Sequence, residues 1–356
     1  MLGYNRRLTT FRENWLEDAG RWYLRSGIRA PGGGVARYYR SELAKNVPIS
    51  TEITGYTVSA LCHLHSITGD EAYREAAMES ARFLAKEAWD RGAHAFPFEL
   101  ESNLSYFFDT GMIVRGLLAT GAEEFRERAR EGALSLAFDF IGEGAFHPVV
   151  TLPDKQPVPY DSRWSRSPGC YQLKPATAWL EVGDPHGARM FDAALASALA
   201  THEHFLPGDP DPERVMDRLH PYCYFLEALL YVADREECRK ALQCGISRVG
   251  GLLREISPRF ERSDVCAQLL RVRLAAHYLD AVPLDAAAAA EEAEKVSRYQ
   301  ARSEDERLDG GFWFGQKGGE MMPYMNPVST AFSLQALELW ERHHAGTWRF
   351  ELGQLI

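Results

Sequence analysis

The chain has 356 residues, of which 46% are hydrophobic and 25% charged, a composition typical of globular proteins and not of disordered ones. Its formal net charge of -10 gives no general support for a nucleic-acid partner, although a local basic pocket could bind an acidic substrate. No segment approaches the roughly 20 apolar residues of a membrane span, and charges interrupt the first positions, where a signal peptide would lie. Six cysteines without a CxxC pair need no disulfide framework, so we expect a cytoplasmic protein with reduced thiols.

Six helix-capping residues each open an apolar segment with helical spacing. In chain order these candidate caps are Ser50, Asp109, Ser167, His220, Ser263 and Asn326. Three of them stand directly before a proline (Pro168, Pro221 and Pro327), which a helix tolerates at its first position because that N–H has no partner there. Each cap therefore predicts the start of a helix.

The first full unit contains two kinds of helix. Apolar residues keep helical spacing from position 53 to 67 with few charges around them, which predicts a helix that is buried on most sides. Residues 73–88 place an apolar stripe opposite a charged face, which predicts an outer helix facing solvent.

This pair recurs along the chain. We predict further inner helices over residues 111–120, 170–182, 222–232, 265–279 and 328–343, and outer helices over 123–140, 186–205, 236–256 and 285–302. A helix over residues 10–26 would be the outer partner of the last inner helix and would close the ring. The prediction is an all-α (α/α)6 toroid, with residues 1–356 as one domain. Long loops rich in Gly, Pro and aromatic residues precede the inner helices and should build a cleft on one rim.

Three short sequence motifs in these repeats resemble those of the six-hairpin glycosidase class of (α/α)6 toroids. They are the Gly-Tyr to Thr-Gly-Asp-Glu-Ala-Tyr-Arg-Glu-Ala-Ala pattern at 55–77, Phe-Asp-Thr-Gly at 108–111 and Asp-Gly-Gly-Phe-Trp-Phe at 309–314. This class includes glycoside hydrolases, polysaccharide lyases, sugar epimerases and glucuronyl C5-epimerase-like proteins. The resemblance implies a carbohydrate-active protein that acts on an oligosaccharide or polysaccharide at the starts of the inner helices. It matches no single family's catalytic motif and therefore assigns no catalytic residue.

Two other functions stay open. A toroid that has lost its acid pair would be a non-catalytic glycan-binding or scaffold protein. Terpene cyclases and protein prenyltransferases use a related double ring, and residues 309–312 and the Asp264-Val265-Cys266 segment resemble their motifs. The zinc-binding histidine of that pattern is missing, and the Cys and His residues show neither metal-ligand nor nucleotide-binding spacing. We therefore expect no metal and no cofactor.

Four candidate catalytic residues stand at predicted inner-helix starts: Glu52, Asp109, His220 and Asp264. Asp109 would also serve as an ordinary helix cap, and acidic residues in a first turn favour the helix dipole. Glu52 and Asp264 each follow a capping serine, so capping does not require them. Glu52 is the expected proton donor, because Ile53 and Tyr56 can shield it from water and so raise its pKa.

The candidate binding residues lie mainly in the rim loops. A polar and aromatic loop contributes Arg163, Trp164 and Arg166, although exposed loop arginines are often ordinary surface groups. Tyr222 and Tyr224 could supply phenolic groups, and Arg271, inside an apolar helix, needs a partner such as Asp264 or Gln268. The remaining candidates are Tyr56, Trp313, Phe314, Tyr324 and Asn326, of which Asn326 would also cap its helix.

Overall fold

The computed structural model describes residues 14–206, 208, 211–257 and 259–356. Its inner helices are α2 (Thr51–Thr68), α4 (Phe107–Ala119), α6 (Leu173–Val182), α8 (Pro212–Leu229), α10 (Ser263–Tyr278) and α12 (Pro327–Ala345). Its outer helices are α1 (Trp15–Arg25), α3 (Glu71–Arg82), α5 (Glu123–Phe138), α7 (Pro185–Thr201), α9 (Glu236–Ile256) and α11 (Ala286–Arg298). Each inner helix contacts the next, and α12 contacts α2, so the inner ring is closed. The predicted double ring of six helical hairpins is confirmed.

The outer helix at the start of the chain packs beside the last inner helix, as predicted. The indole Nε1 of Trp15 donates a hydrogen bond to Glu341 over 2.8 Å, and the Tyr23 hydroxyl donates to the carbonyl of Pro327. Residues 10–13 of the predicted helix lie outside the described residues.

Glycines let neighbouring inner helices approach closely. A Cβ atom on Gly116 of α4 would lie 2.5 Å from the carbonyl oxygen of Gly55 on α2. A Cβ atom on Gly111 would lie 2.3 Å from Pro175 on α6. These distances are too short for any larger residue at Gly116 or Gly111, which explains the glycine of the Phe-Asp-Thr-Gly motif.

The rim loops are joined by short antiparallel strands. These are β1 (Tyr39–Arg40), β2 (Lys45–Asn46), β3 (Leu104–Tyr106), β4 (Val149–Thr151), β5 (Phe260–Arg262), β6 (Gly315–Lys317), β7 (Glu320–Met321) and β8 (Tyr324–Met325). They form sheets in the orders β2-β1-β8, β3-β4 and β5-β6-β7. The pairing of Tyr39 with Met325 joins the first rim loop to the last, β3 with β4 joins the second to the third, and β5 with β6 joins the fifth to the last.

Four of the six predicted caps are wrong. Ser263 is the first residue of α10 and not its cap, and its hydroxyl donates to the carbonyls of Trp313 and Phe314. His220 and Pro221 lie inside α8, which begins at Pro212 with the Asp211 side chain as its cap. Asp109 lies in the first turn of α4 and caps nothing, because that helix begins at Phe107. The third inner helix starts with a 3-10 turn, Cys170–Gln172, whose cap position is Gly169 rather than Ser167.

The start of α8 has a simple physical reason. Asp211-Pro212 is itself a cap followed by a first-position proline, the same signal that His220-Pro221 carries in the sequence. Proline inside a helix removes one backbone hydrogen bond, but burial of most side chains from Val215 to Leu229 supports the helix through Pro221. Tertiary packing therefore overrides the local preference.

The caps at Ser50 and Asn326 are confirmed. The Ser50 side chain accepts a hydrogen bond from the Ile53 N–H, and Asn326 accepts from those of Val328 and Ser329. No helix within the described ranges has the length and apolar character needed to cross a membrane.

Candidate active site

A cleft of about 360 Å³ opens at the rim where the inner helices begin. This is within the size range of small-molecule sites. Its lining combines charged, aromatic and amide side chains: Arg37, Tyr38, Glu52, Ile53, Trp164, His220, Tyr224, Arg262, Asp264, Phe314, Tyr324, Asn326 and Val328. These residues come from the first, third, fourth, fifth and last inner-helix regions, so the ring brings together positions that are far apart in sequence.

Eight of the candidate residues line this cleft: Glu52, Trp164, His220, Tyr224, Asp264, Phe314, Tyr324 and Asn326. His220 does so although it is not at a helix start, because the first turns of α8 extend into the rim. There Arg218 donates a hydrogen bond to the Ser162 carbonyl over 3.0 Å, and Glu213 pairs with Lys317 over 2.6 Å. The predicted convergence on one concavity therefore holds for these residues.

The other predicted site residues are not in the lining. Tyr222 points outward from α8 and its hydroxyl lies 3.1 Å from His202 Nδ1. Arg163 is exposed and pairs with Asp161, while Arg166 lies over the ring of Tyr106. Trp313 is half-buried and contributes its carbonyl to the Ser263 hydroxyl. Two further residues, Tyr56 and Asp109, are buried behind the lining.

Arg271 is fully buried deeper in the ring. The prediction that it pairs with Asp264 or Gln268 is wrong. Its guanidinium pairs with Glu227 over 2.5 Å and donates a hydrogen bond to Gln335 over 2.9 Å. It also stacks over the ring of Phe332 at 4.0 Å from the centroid. The buried charge is matched by a carboxylate on the neighbouring helix α8, which sequence spacing within α10 cannot reveal.

Glu52 lies half-buried in the first turn of α2 and is not needed to cap it. Burial raises the pKa of Glu52 to about 7, against the opposing effect of the Arg37 guanidinium. Within the described residues, no side chain donates a hydrogen bond to it. A carboxyl group that is half protonated near neutral pH can both give and take a proton.

Asp109 lies behind Glu52 at the start of the adjacent inner helix. Burial first, and the Glu52 carboxylate second, raise the pKa of Asp109 well above its ordinary value. Its Oδ2 atom is buried and has no hydrogen-bond partner among the described residues. The two acids therefore do not both ionise readily, and Asp109 favours the protonated form.

Asp264 has the opposite electrostatic character. Its oxygens accept two hydrogen bonds from the Arg262 guanidinium, at 3.0 and 2.6 Å, and one from the Val265 N–H at 2.9 Å. Although burial acts to raise the pKa of Asp264, Arg262 and its other donors hold it below the ordinary value. Arg262 also stacks on Phe314, 4.5 Å from the ring centroid. Asp264 is thus a fixed, ionised carboxylate.

His220 and Tyr224 form a hydrogen-bonded pair one helical turn apart on α8. The Tyr224 hydroxyl lies 3.0 Å from His220 Nε2, and His220 Nδ1 lies 2.8 Å from Gln268 Oε1. Burial, with the nearby Arg262 charge, lowers the pKa of His220 to about 4, so the imidazole is neutral at pH 7. Burial and then the Glu52 charge raise the pKa of Tyr224 well above its ordinary value. A neutral phenol and a neutral imidazole thus line the same cleft as Glu52.

Sequence reasoning missed three polar lining residues, Arg37, Tyr38 and Arg262. Tyr224 was a candidate, and because residues four apart on a helix share one face, the sequence also places it beside His220. Arg262 directly precedes a predicted helix start, where lining residues were expected. Arg37 and Tyr38 lie in the first rim loop, which the pairing of β1 with β8 joins to the last rim loop.

Among the described residues, no three His, Cys, Asp or Glu side chains lie together so that they could hold a metal ion. Asp264 and Cys266, the pair that resembles the zinc ligands of prenyltransferases, are both buried. Asp264 forms an ion pair with Arg262.

No protein-family model and no curated protein sequence matches this chain. Solved structures do match it. The cellobiose 2-epimerase of Spirochaeta thermophila has a TM-score of 0.71 at 12% identity, covering 93% of this chain and 96% of its own. A D-mannose isomerase has a TM-score of 0.68 at 8% identity, covering 96% and 100%.

The unsaturated glucuronyl hydrolase of Bacillus sp. GL1 has a TM-score of 0.66 at 15% identity, covering 93% of this chain and 97% of its own. At such low identity the similarity shows the fold alone. These comparisons and the closed double ring show that the chain has the (α/α)6 toroid fold.

Proposed function

We propose that this protein is a carbohydrate-active enzyme that moves protons on an acidic sugar, as a uronate-directed lyase or epimerase. The observation that carries the proposal is the grouping of Glu52, the Tyr224–His220 pair and two arginines in one cleft. The half-buried rings of Trp164 and Tyr324 add flat apolar faces, which suit the faces of sugar rings. The solved structures with this fold include enzymes named as epimerases, an isomerase and glucuronyl hydrolases, which supports a sugar substrate.

A uronate substrate places a weakly acidic C5–H next to a carboxylate. Removing that proton builds negative charge on the carboxylate, which Arg37, Arg262 and the Asn326 amide are placed to stabilise. Tyr224 directs its hydroxyl proton toward His220 Nε2, so its oxygen can accept a proton from the substrate as its own proton passes to the imidazole.

The two versions of the reaction differ in what happens next. In elimination, the C5–H electron pair forms the C4–C5 double bond and the C4–O bond breaks. The leaving oxygen then takes the proton of Glu52. In epimerisation, no bond to oxygen breaks, and Glu52 returns a proton to C5 from the opposite face. Both versions need Glu52 protonated at the start, which its pKa of about 7 allows.

The test is an assay of uronate and neutral oligosaccharides in D2O. Elimination gives the ultraviolet absorbance of a double bond conjugated to the carboxylate, and epimerisation gives deuterium at C5 by NMR. Glu52→Gln and Tyr224→Phe should each abolish the signal, while Tyr222→Phe should keep it. Tyr222 is a matched control because it lies on the same helix but points away from the cleft. Binding of sugars without any turnover would overturn the proposal in favour of a glycan-binding toroid.

Hydrolysis of a glycosidic bond is the second candidate. It is favoured by the two cleft carboxyl groups whose pKa values are shifted in opposite directions, Glu52 upward and Asp264 downward. Such a split is the arrangement by which hydrolases assign their acid and their base. The same assay separates the two functions, because hydrolysis releases a reducing end with neither a new double bond nor deuterium at C5. Asp264→Asn should abolish hydrolysis if Asp264 activates the water.

A further inference from the structure

We infer that Gln268 is a positioning residue that fixes the tautomer of His220, so that His220 Nε2 is the proton acceptor facing Tyr224. The role concerns the proton-transfer pair of the proposed function, but the tautomer can be measured without any substrate. Gln268 lies on α10, one helical turn beyond Asp264, and is fully buried. It is not in the cleft lining, so it acts through His220 and not on the sugar.

The geometry sets which nitrogen carries the proton. The amide oxygen of Gln268 lies 2.8 Å from His220 Nδ1, and an amide oxygen can only accept a hydrogen bond. His220 Nδ1 therefore carries the hydrogen, and Nε2 is left as the acceptor for the Tyr224 hydroxyl at 3.0 Å. With the opposite tautomer, Nε2 would be a donor and could not take the proton of Tyr224.

Asp264 is the alternative partner, but it is poorly placed for this task. Its Oδ2 atom lies 3.7 Å from His220 Nδ1, beyond hydrogen-bond distance, and both of its oxygens are held by Arg262. The other charged groups near His220 are Arg262 itself and Glu227 on the same helix. A neutral partner at Nδ1 orients the ring without adding negative charge, which keeps the imidazole neutral and able to accept a proton.

Burying the Gln268 side chain is unfavourable for the stability of the fold. Its Nε2 atom is buried and has no hydrogen-bond partner among the described residues. An unsatisfied buried donor is destabilising, so an apolar side chain of similar volume should fit at least as well. The contact with His220 is thus the one feature of this side chain that an apolar residue could not reproduce.

The experiment is two-bond 1H–15N NMR of protein labelled at histidine nitrogens, with the His220 signals assigned by their loss in His220→Gln. We expect wild-type His220 to be protonated at Nδ1 at pH 7. In Gln268→Leu we expect the signals to move toward the Nε2-protonated form, with no loss of thermal stability. Gln335→Leu is the matched control. It removes a buried glutamine of the next inner helix, and that glutamine bonds Arg271 and not His220, so the His220 signals should stay as in the wild type.

A second variant separates positioning from packing. Gln268→Glu keeps an oxygen acceptor at Nδ1, so it should keep the Nδ1-protonated tautomer and raise the pKa of His220 by at least about one unit. Where turnover is found, Gln268→Leu should lower kcat by at least about tenfold with little change in KM. In Gln268→Glu the pH profile of kcat should shift with the pKa of His220.

The outcomes distinguish this inference from the proposed function. An Nε2-protonated His220 in the wild type, or the wild-type tautomer in Gln268→Leu, would overturn the positioning role even in an active enzyme. The expected tautomers in a protein that turns over no sugar would support the positioning role and refute the proposed function.

Discussion

Buried ionisable groups occur in two regions of the ring, at the cleft and at a deeper level inside the ring of inner helices. The two regions differ in whether these groups are paired with an opposite charge. At the cleft, Glu52 has a raised pKa and no hydrogen-bond donor among the described side chains, and the buried Asp109 keeps an unpaired oxygen. About two turns further along the inner helices, Glu227 is paired with both Lys174 and Arg271, at 3.0 and 2.5 Å. All three of these side chains are fully buried.

The last residues of the chain complete the deeper network. The carbonyl of Ile356 accepts hydrogen bonds from Lys174 at 3.3 Å and from Arg271 at 3.1 Å, while Arg115 donates to the Leu355 carbonyl over 2.7 Å. Buried charges that are each paired with an opposite charge hold a structure together, whereas a carboxyl group that no cation pairs beside a cleft is available to a substrate. From this contrast we propose that the deeper level serves stability and that the cleft is the site of the chemistry.

The largest expected effect is on catalysis at the cleft. Glu52→Gln should lower kcat/KM by about 10²–10⁴-fold, the usual contribution of a positioned acid or base. The free energy of unfolding should stay the same or rise, because the substitution removes a carboxyl group that burial disfavours. Steady-state kinetics and urea unfolding check both parts. A destabilised Glu52→Gln protein would show that Glu52 belongs with the structural charges.

The deeper level should respond in the opposite way. Glu227→Gln leaves Lys174 and Arg271 buried without their counter-charge, which should lower the free energy of unfolding by about 3–5 kcal/mol. Urea unfolding measures this change. The control is Glu236→Gln, which removes an exposed ion pair with Lys240 and should cost no more than about 0.5 kcal/mol. Equal losses in the two variants would remove the distinction between buried and exposed charge pairs.

The pH dependence of stability gives a smaller effect. The unfolded chain releases the Glu52 proton near pH 4.5, while the folded protein keeps it until about pH 7. Folding is therefore favoured by Glu52 below pH 4.5, and this contribution is lost as pH rises to 7. Relative to wild type, Glu52→Gln should gain about 1–3 kcal/mol between pH 4.5 and pH 8. Urea unfolding at both pH values measures this gain, and a constant difference would contradict the raised pKa.

The smallest expected effect concerns Asn326, which both caps α12 and lines the cleft. Asn326→Ala removes the cap and should cost about 1 kcal/mol of unfolding free energy, while Asn326→Ser should restore most of it. If the amide also contacts the sugar, both variants should raise KM. Thermal unfolding and kinetics test the two roles, and a normal KM in Asn326→Ser would limit Asn326 to capping.

The repeating pattern of capped apolar helices and amphipathic helices was sufficient to predict the double ring. Spacing and caps are local properties, and the residues at Ser50 and Asn326 behave as local rules expect. The rule failed at Pro221, where an interior proline is tolerated because the surrounding helix is buried. That residues 1–356 form one domain stays a prediction.

The partners of the side chains were decided by the tertiary structure. The sequence alone placed Glu52, His220 and Asp264 near inner-helix starts and put all three in the candidate site, but charge pairing is set by what lies across the ring. Arg271 pairs with Glu227 of another helix, and Arg262 holds Asp264 ionised. Tyr222 and Tyr224 are two residues apart, and helix rotation alone sends one outward and the other into the cleft. Periodicity thus determined where the cleft would form, and contacts between separate helices determined its chemistry.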